Sequence, residues 1–305
     1  MGELRFNELR AEHVDYTIDR QERTFLPPAD HCPLCPTRPG GLETEIPFES
    51  FEIAVFDNRF PAFAAPRGAA EVVVYTDRHD GSFATLSPER ARALMWVWRE
   101  RYAALAARED VDYVLIFENR GVEVGVTLHH PHGQIYGYPF LPPVPAAEAE
   151  ADERLGGCAP CELLRRELRD GRRLVYENES AVVYIPYAAR WPYEAHVVLR
   201  AHRASLPECT PAELTALADA LQALTRGYDG LFERPFPYVM VVHQAPTGAG
   251  LSATGHVHVE LYPPLRTAEK LKYLAGSEQG GGTFIVDVLP EESARALRAA
   301  IARAV

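Results

Sequence analysis

The stretch HPHGQIYGYPFLPP, residues 130–143, decides how the rest of the sequence divides. A second stretch, HVHVELYPP at residues 256–264, has the same plan. Both begin with two histidines separated by one residue, continue with alternating apolar positions and end in a pair of prolines. The alternation predicts a β-strand in each. Self-similarity at this separation indicates a duplicated unit.

The motifs that precede these two stretches also occur in the same order. Each half of the chain has a Cys-x-x-Cys pair, an apolar run that ends in a histidine, a helix start in which Ser or Thr precedes Pro, and a second apolar run. We therefore interpret the chain as two tandem copies of one α+β unit, residues 1–147 and 148–305, each a mostly antiparallel sheet with helices packed on it. The corresponding motifs are CPLC and CAPC, EVVVYTDRH and HVVLRAH, SPERARAL and TPAELTAL, and DYVLIFEN and PYVMVVHQ.

Hydrophobic periodicity predicts several strands and one long helix in each copy. The helices are predicted at about 88–108 and 211–226, and the tail at 290–305 is predicted as a further helix. The segment 142–157 is rich in Pro, Ala and charged residues and is predicted as a connector. The predicted strands are 51–57, 71–76, 113–118 and 132–138, then 173–177, 181–185, 194–200, 237–243 and 256–262.

Composition limits the classes of partner. The net charge of −12 argues against a nucleic-acid or membrane-surface binder, since both need a basic face. The first residues lack the apolar core of a signal peptide, and no apolar run approaches the ~20 residues of a spanning helix. We expect a soluble, cytoplasmic protein without nucleic-acid or membrane partners. A local cationic pocket for a phosphorylated small molecule remains compatible with the acidic composition.

The Cys-x-x-Cys pairs predict metal sites. A pair supplies two thiolates on one turn, and tetrahedral zinc needs two more ligands from elsewhere. In the first copy, Cys32 and Cys35 precede His79 and His130, and the second copy repeats this order. Four protein ligands leave no open position, so we predict a structural zinc. The alternative is a redox dithiol, but CPLC lies in a Pro-rich loop rather than between a strand and a helix.

The second copy offers more donors than one zinc ion needs. Glu148, His243 and His258 could compete for a metal there. The correspondence between the copies favours a set that contains both cysteines. The predicted ligands of this second zinc site are Cys158, Cys161, His202 and His256.

The histidine that follows the first metal site is the candidate nucleophile. His132 projects from the same strand face as His130 and cannot become a fifth ligand of a filled tetrahedral zinc. An imidazole so held can attack phosphorus and carry a nucleotidyl group. Gln134, on the same face, can donate a hydrogen bond to a phosphate oxygen. The second copy has Glu260 at that place, which would repel phosphate, so we predict chemistry in the first copy only and no catalytic role for His129.

HPHGQ, together with FEN at 117–119, the first Cys-x-x-Cys pair and KYLAGSE at 272–278, resembles the histidine-triad superfamily and, within it, the galactose-1-phosphate uridylyltransferases. The resemblance extends from about Arg20 to the C-terminal helix. It implies two histidine-triad-like halves in one subunit and a homodimer that completes each active site. It also implies a ping-pong exchange of UMP between UDP-glucose and galactose 1-phosphate through a uridylyl-histidine, as part of galactose metabolism.

The resemblance assigns roles to particular positions of this sequence. His132 is implied as the nucleophile and Gln134 as the phosphoryl contact. The implied substrate contacts are Asn58 and Asn119 for the nucleotide, Gly125, Val126 and Thr127 in the phosphate loop, Arg20 and Arg23 for the phosphates across the dimer, and Lys272 and Tyr273 for the hexose.

The resemblance also leaves alternatives open. Some members bind iron at the second site through residues that match Glu148, His243, His256 and His258, a set that shares His256 with the predicted zinc ligands. We favour zinc because two thiolates suit it better. The tail has Ser277 where members place a tyrosine, and it resembles relatives that include ADP-sugar phosphorylases. Two alternative functions remain open. One is phosphorolysis of an ADP-sugar with inorganic phosphate, and the other is a non-catalytic, zinc-stabilised nucleotide-binding protein.

Overall fold

The computed structural model describes residues 3–18, 21, 24–248 and 255–304, and it has the α+β fold expected from the sequence. Nine strands form one antiparallel sheet, and two N-terminal strands form a separate hairpin that the sequence did not predict. The strands are β1 (Glu3–Asn7), β2 (Glu12–Tyr16), β3 (Ala54–Asp57), β4 (Ala69–Val74), β5 (Tyr113–Arg120), β6 (His132–Tyr138), β7 (Leu174–Glu177), β8 (Ala181–Tyr184), β9 (Ala195–Leu199), β10 (Tyr238–His243) and β11 (His258–Tyr262).

The strand order repeats in the two parts of the sheet. The order is β3-β4-β6-β5-β10-β11-β9-β8-β7, so β5 and β10 meet at the centre. Strand β6 lies between β4 and β5, and β11 lies between β9 and β10. The two strands that begin with His132 and His258 therefore occupy equivalent places. The equivalent places agree with a duplicated unit, whereas the joining of both copies into one sheet was not predicted.

Helices pack on the sheet and are capped as the sequence indicates. The Ser87 hydroxyl accepts from the backbone N–H of Arg90, and Thr210 and Glu213 form a capping box. Within the described ranges, no helix combines the length and the apolar character needed to cross a membrane. The helices are α1 (Pro88–Ala106), α2 (Pro143–Leu155), α3 (Ala159–Asp170), α4 (Pro211–Leu231), α5 (Gly276–Gly281) and α6 (Pro290–Ala304).

The prediction of a connector at 142–157 is wrong, because this segment forms α2. Its Ala and Glu residues are strong helix formers, and Pro143 takes the first helical position, where proline is tolerated. Gly156 ends the helix in the left-handed conformation with φ of 65°. The next helix, α3, was also not predicted, and Cys158 caps its first turn.

Candidate active site and metal centres

The four predicted ligands of the first zinc site converge. One donor atom from each of Cys32, Cys35, His79 and His130 lies within 4.8 Å of the others. The Cys35 Sγ is 3.4 Å from the Nδ1 of His79 and 3.5 Å from the Nδ1 of His130. Tetrahedral zinc, with bonds of about 2.3 Å to sulfur and about 2.0 Å to nitrogen, places such atoms about 3.5 Å apart. The geometry therefore fits a closed zinc site.

The protonation of these groups also fits a bound cation. The His130 Nε2 lies 2.7 Å from the Thr76 carbonyl oxygen, so this nitrogen donates and Nδ1 is left to face the metal position. Burial lowers the pKa of His130 to about 4 and keeps the ring neutral. Burial, together with the neighbouring Cys32, raises the pKa of the Cys35 thiol to about 12. Thiols in this position become thiolates when a metal compensates their charge.

The predicted ligands of the second zinc site also meet. Donor atoms of Cys158, Cys161, His202 and His256 lie within 4.8 Å of one another. The Cys161 Sγ is 3.5 Å from the Nδ1 of His202 and 3.1 Å from the Nδ1 of His256. Burial raises the pKa of the Cys158 thiol to about 12, as in the first site. Each half of the chain thus carries a Cys2His2 group.

The other donors of the second half form a group of their own. Glu148, His243 and His258 have donor atoms within 4.8 Å of one another. The Glu148 Oε1 is 3.2 Å from the Nδ1 of His243 and 3.8 Å from the Nε2 of His258. His256, which the two alternative ligand sets share in the sequence, lies with the cysteines, and the remaining three residues meet without it. Two histidines and one carboxylate are a ligand type that suits iron.

The candidate nucleophile is held in one tautomer. His132 begins β6, and its Nδ1 is 2.7 Å from the carbonyl oxygen of His130. A carbonyl can only accept, so Nδ1 carries the proton and Nε2 keeps a lone pair. Burial lowers the pKa of His132, which keeps the imidazole neutral. If a metal binds at the first Cys2His2 group, its bond to His130 would also fix the carbonyl that orients the candidate nucleophile.

The amide of Gln134 is oriented by its neighbours. Its Oε1 accepts from the Nδ2 of Asn58 at 3.1 Å and from the hydroxyl of Tyr136 at 3.1 Å. With the oxygen occupied, the Nε2 N–H groups are the part of the amide that can serve a phosphate. The Oδ1 of Asn58 accepts from the backbone N–H of Phe60 at 2.9 Å. Asn58 thus orients Gln134, and its contact with a nucleotide remains a prediction.

His132 lines two cavities, of about 530 Å³ and about 730 Å³. The smaller cavity also contains Gln134, Asn58 and several apolar side chains that the sequence analysis missed. Flat apolar surfaces of this kind can stack a nucleobase. The sequence could have predicted the two phenylalanines, because alternation in VFDNRF, residues 55–60, places both on the same strand face as Asn58. The apolar residues are Leu34, Phe56, Phe60, Val72 and Leu128.

The predicted phosphate loop runs between these cavities. Asn119 and Val126 line the larger cavity, and Thr127 lines the smaller one. Gly125 has a φ of 82°, a left-handed conformation that glycine adopts readily, and it ends the turn before this loop. The Thr127 carbonyl accepts from the backbone N–H of Leu26 at 2.7 Å. The loop is therefore tied to the N-terminal segment that leads into the first cysteine pair.

Lys272 and Tyr273 are not among the residues that line these cavities. The Lys272 ammonium is buried and donates to the Oε1 of Glu278 at 2.9 Å, within its own tail. Tyr273 is 74% exposed. Among the described residues, those that line either cavity end at Pro237. Arg20 and Arg23 lie outside the described residues.

The second copy has the same histidine geometry with different neighbours. The Nδ1 of His258 is 2.7 Å from the His256 carbonyl oxygen, as in the first copy. Its Nε2 lies 3.6 Å from the Oε1 of Glu260, which is also 3.3 Å from the Nε2 of His196. Burial alone would lower the pKa of His258, but Glu260 and Glu148 outweigh it and raise this pKa to about 9. As long as no metal binds beside Glu148 and His243, the protonated ring has no lone pair with which to attack phosphorus.

Comparison with known proteins agrees with this geometry. Residues 63–142 match the family model of the galactose-1-phosphate uridyl transferase N-terminal domain, and residues 153–304 match that of the C-terminal domain. The chain belongs to the galactose-1-phosphate uridylyltransferase family. It is 38% identical to the galactose-1-phosphate uridylyltransferase of Thermotoga maritima over 98% of both chains. The family resemblance inferred from the motifs is confirmed.

Solved structures show the same fold. A uridylyltransferase structure, 30% identical, superposes with a TM-score of 0.87 and covers 99% of both chains. An ADP-glucose phosphorylase from Arabidopsis thaliana with bound ADP-glucose superposes with a TM-score of 0.74 over 98% of this chain and 99% of the other, at 21% identity. The second similarity shows a shared fold and does not distinguish the two reactions.

Proposed function

We propose that this enzyme exchanges UMP between UDP-glucose and galactose 1-phosphate through a covalent intermediate on His132. Family membership supports uridylyl transfer in galactose metabolism. The observation that carries the residue assignment is the His132 hydrogen bond to the His130 carbonyl, 2.7 Å long, which leaves a neutral Nε2 at the junction of two cavities.

In the first step, the Nε2 of His132 attacks the α-phosphorus of UDP-glucose. A nitrogen–phosphorus bond forms, the bond from the α-phosphorus to the bridging oxygen breaks, and glucose 1-phosphate leaves with that electron pair. The Gln134 N–H groups donate to a phosphoryl oxygen as charge develops. In the second step, a phosphate oxygen of galactose 1-phosphate attacks the same phosphorus. The nitrogen–phosphorus bond breaks, UDP-galactose leaves and His132 is regenerated.

Both Cys2His2 groups are proposed to hold structural zinc, because the protein supplies all four ligands of each. The group of Glu148, His243 and His258 is the candidate for an additional ion such as iron. Metal analysis of the purified protein tests this assignment. Two zinc ions per chain support it, and a third equivalent of metal would mean that the additional group is also filled.

The active enzyme is proposed to be a cytoplasmic homodimer of chains with two halves, 1–147 and 148–305. Lys272 and Tyr273 do not line the cavities that contain His132, so a partner chain is the proposed source of the hexose contacts and of the Arg20 and Arg23 contacts with phosphate. The described free cysteines fit a reducing compartment. Sedimentation of the protein tests the dimer: a monomer that retains full activity would contradict it.

The test of the reaction is product formation with defined acceptors. With UDP-glucose and galactose 1-phosphate, NMR spectra should show UDP-galactose and glucose 1-phosphate in equal amounts. The competing reaction, phosphorolysis of an ADP-sugar, is measured with ADP-glucose and inorganic phosphate. Faster ADP formation in the second mixture than UDP-galactose formation in the first would overturn the proposal.

A further inference from the structure

A buried carboxyl group lies on β5, the strand that pairs with the His132 strand β6. Glu118 in β5 is only 3% exposed, and its strand alternation places it with Ile116, a member of the apolar core. Its Oε1 accepts from the hydroxyl of Tyr238 at 3.1 Å. Burial raises the pKa of Glu118 to about 7. An acid in such surroundings costs stability, so it needs a compensating role.

Tyr75 links this carboxyl group to the His132 segment. A Cβ atom added at Gly133 would lie 2.3 Å from the hydroxyl oxygen of Tyr75, so the glycine backbone rests directly on this ring. The backbone N–H of Tyr75 also donates to the carbonyl oxygen of Pro131 at 3.0 Å. Tyr75 therefore contacts the residues on both sides of His132, one through its backbone and one through its ring.

The hydroxyl of Tyr75 and the Oε2 of Glu118 are both buried, and neither has a hydrogen-bond partner of ordinary geometry among the described residues. Burial raises the pKa of Tyr75 well above its usual range, and the Glu118 charge adds to this effect. The neighbours of Glu118 in β5 also lie near the site: Phe117 pairs with Gln134, and Asn119 lines the larger cavity, as Glu118 itself does. The buried carboxyl group therefore borders the cavity that His132 lines.

We propose that Glu118 is a positioning residue that, with Tyr75 and Tyr238, fixes the backbone at Gly133 and so aims the imidazole of His132. The inference rests on the proposed function, since it concerns the geometry of attack by that histidine. A displacement of the nucleophile by about 1 Å can cost roughly 100-fold in rate. A network of three buried polar side chains can hold a strand more rigidly than apolar contacts alone.

Single-turnover kinetics test the role of Glu118. With saturating UDP-glucose, we expect Glu118→Leu and Tyr75→Phe to slow formation of the His132 adduct about 10- to 100-fold, while the Kd for UDP-glucose changes less than about 3-fold. Glu118→Gln keeps the acceptor and should restore most of the rate. Tyr228→Phe is the matched control, because it removes another buried hydroxyl, bonded to the Tyr193 carbonyl at 2.7 Å, and should leave the rate unchanged.

An equal loss in Tyr228→Phe, or wild-type rates in Tyr75→Phe and Glu118→Leu, would overturn the positioning role. A second readout does not depend on the substrate. The NMR signal of the Nδ1–H of His132 should shift in Glu118→Leu and in Tyr75→Phe but not in Tyr228→Phe, and an unchanged signal in the first two variants contradicts the proposal. If the wild-type protein forms no adduct with UDP-glucose, the proposed function fails while this readout still tests Glu118.

Discussion

The strands β6 and β11 carry the same histidine geometry and differ in what surrounds it. His132 and His258 each lie 2.7 Å, through Nδ1, from the carbonyl oxygen of the metal-group histidine two residues earlier. Two residues later, the first copy has Gln134 and the second has Glu260. Burial lowers the pKa of His132, whereas the carboxylates raise the pKa of His258 to about 9 against the effect of burial. We therefore expect neighbouring charge, rather than backbone geometry, to decide which of the two histidines can act as a nucleophile.

The side chains and the open space beside the two strands also differ. The first copy leaves a cavity of about 530 Å³ beside His132. In the second copy, Glu260 forms an ion pair with Arg190 at 3.2 Å and lies 3.3 Å from the Nε2 of His196, which is also 3.2 Å from Glu194. The polar groups on this side of the second copy are therefore paired with one another, whereas His132 and Gln134 of the first copy line a cavity.

The largest expected effect comes from removing each histidine in turn. His132→Ala should lower the rate of uridylyl transfer by at least about 1,000-fold, because no other group replaces the nucleophile. His258→Asn should retain activity within about 10-fold. Initial rates and thermal melts of both variants measure this difference. A folded His258→Asn protein that forms no adduct would place the chemistry in the second copy as well.

Exchanging Gln134 and Glu260, which stand two positions after the two histidines, tests the comparison further. Gln134→Glu introduces the second-copy residue into the first copy, where it removes a donor and adds a negative charge beside a phosphate. We expect adduct formation to slow about 100- to 1,000-fold. The reverse change, Glu260→Gln, should not produce a second adduct per chain. Normal kinetics in Gln134→Glu would show that this position does not contact the phosphoryl group.

We expect Glu118 to make the free energy of unfolding depend on pH. Its folded pKa of about 7 lies above the roughly 4.3 of an unfolded glutamate, so the folded state binds the proton more tightly. The wild type should therefore lose up to about 3 kcal/mol of unfolding free energy as pH rises from about 4.5 to 7. Urea unfolding of the wild type and of Glu118→Gln over this range isolates the effect. If the unfolding free energies of the two proteins changed in parallel with pH, the effect would not come from Glu118.

The two Cys2His2 groups provide the smallest contrast. Cys35→Ser and Cys161→Ser should each remove one zinc ion per chain. Only Cys35→Ser should also slow adduct formation, by about 10-fold, because the first site holds His130, whose carbonyl orients His132. Zinc analysis and single-turnover rates at a temperature where both variants remain folded measure this. Equal slowing by both substitutions would mean that zinc acts through general stability alone.

The sequence predicted those features that depend on order and periodicity. The correspondence between the copies identified both Cys2His2 groups, and alternation identified β6 with its bounds at His132 and Tyr138. It did not predict α2, because a composition rich in Pro and Ala suits both connectors and helices. The apolar wall that contains Leu34 and Phe56 was missed as well, since residues far apart in the chain build it.

Electrostatics was the least accessible property from sequence. That Glu260 opposes phosphate stays a prediction, and its contacts with His196 and Arg190 depend on burial that no motif reports. The tail shows the same limit. Lys272 carries a motif that implies a hexose contact, yet within this chain it is paired with Glu278. The sequence of one chain does not report whether Lys272 reaches the active site of a partner chain.

The most direct test of the central claim is the location of the covalent adduct. The zinc-loaded enzyme is incubated with UDP-glucose and no acceptor, then digested and analysed by mass spectrometry under conditions that preserve nitrogen–phosphorus bonds. The predicted result is one uridylyl group per chain, on the peptide that contains His132. An adduct on His258, or none on a folded, zinc-loaded protein, would contradict the assignment of catalysis to the first copy.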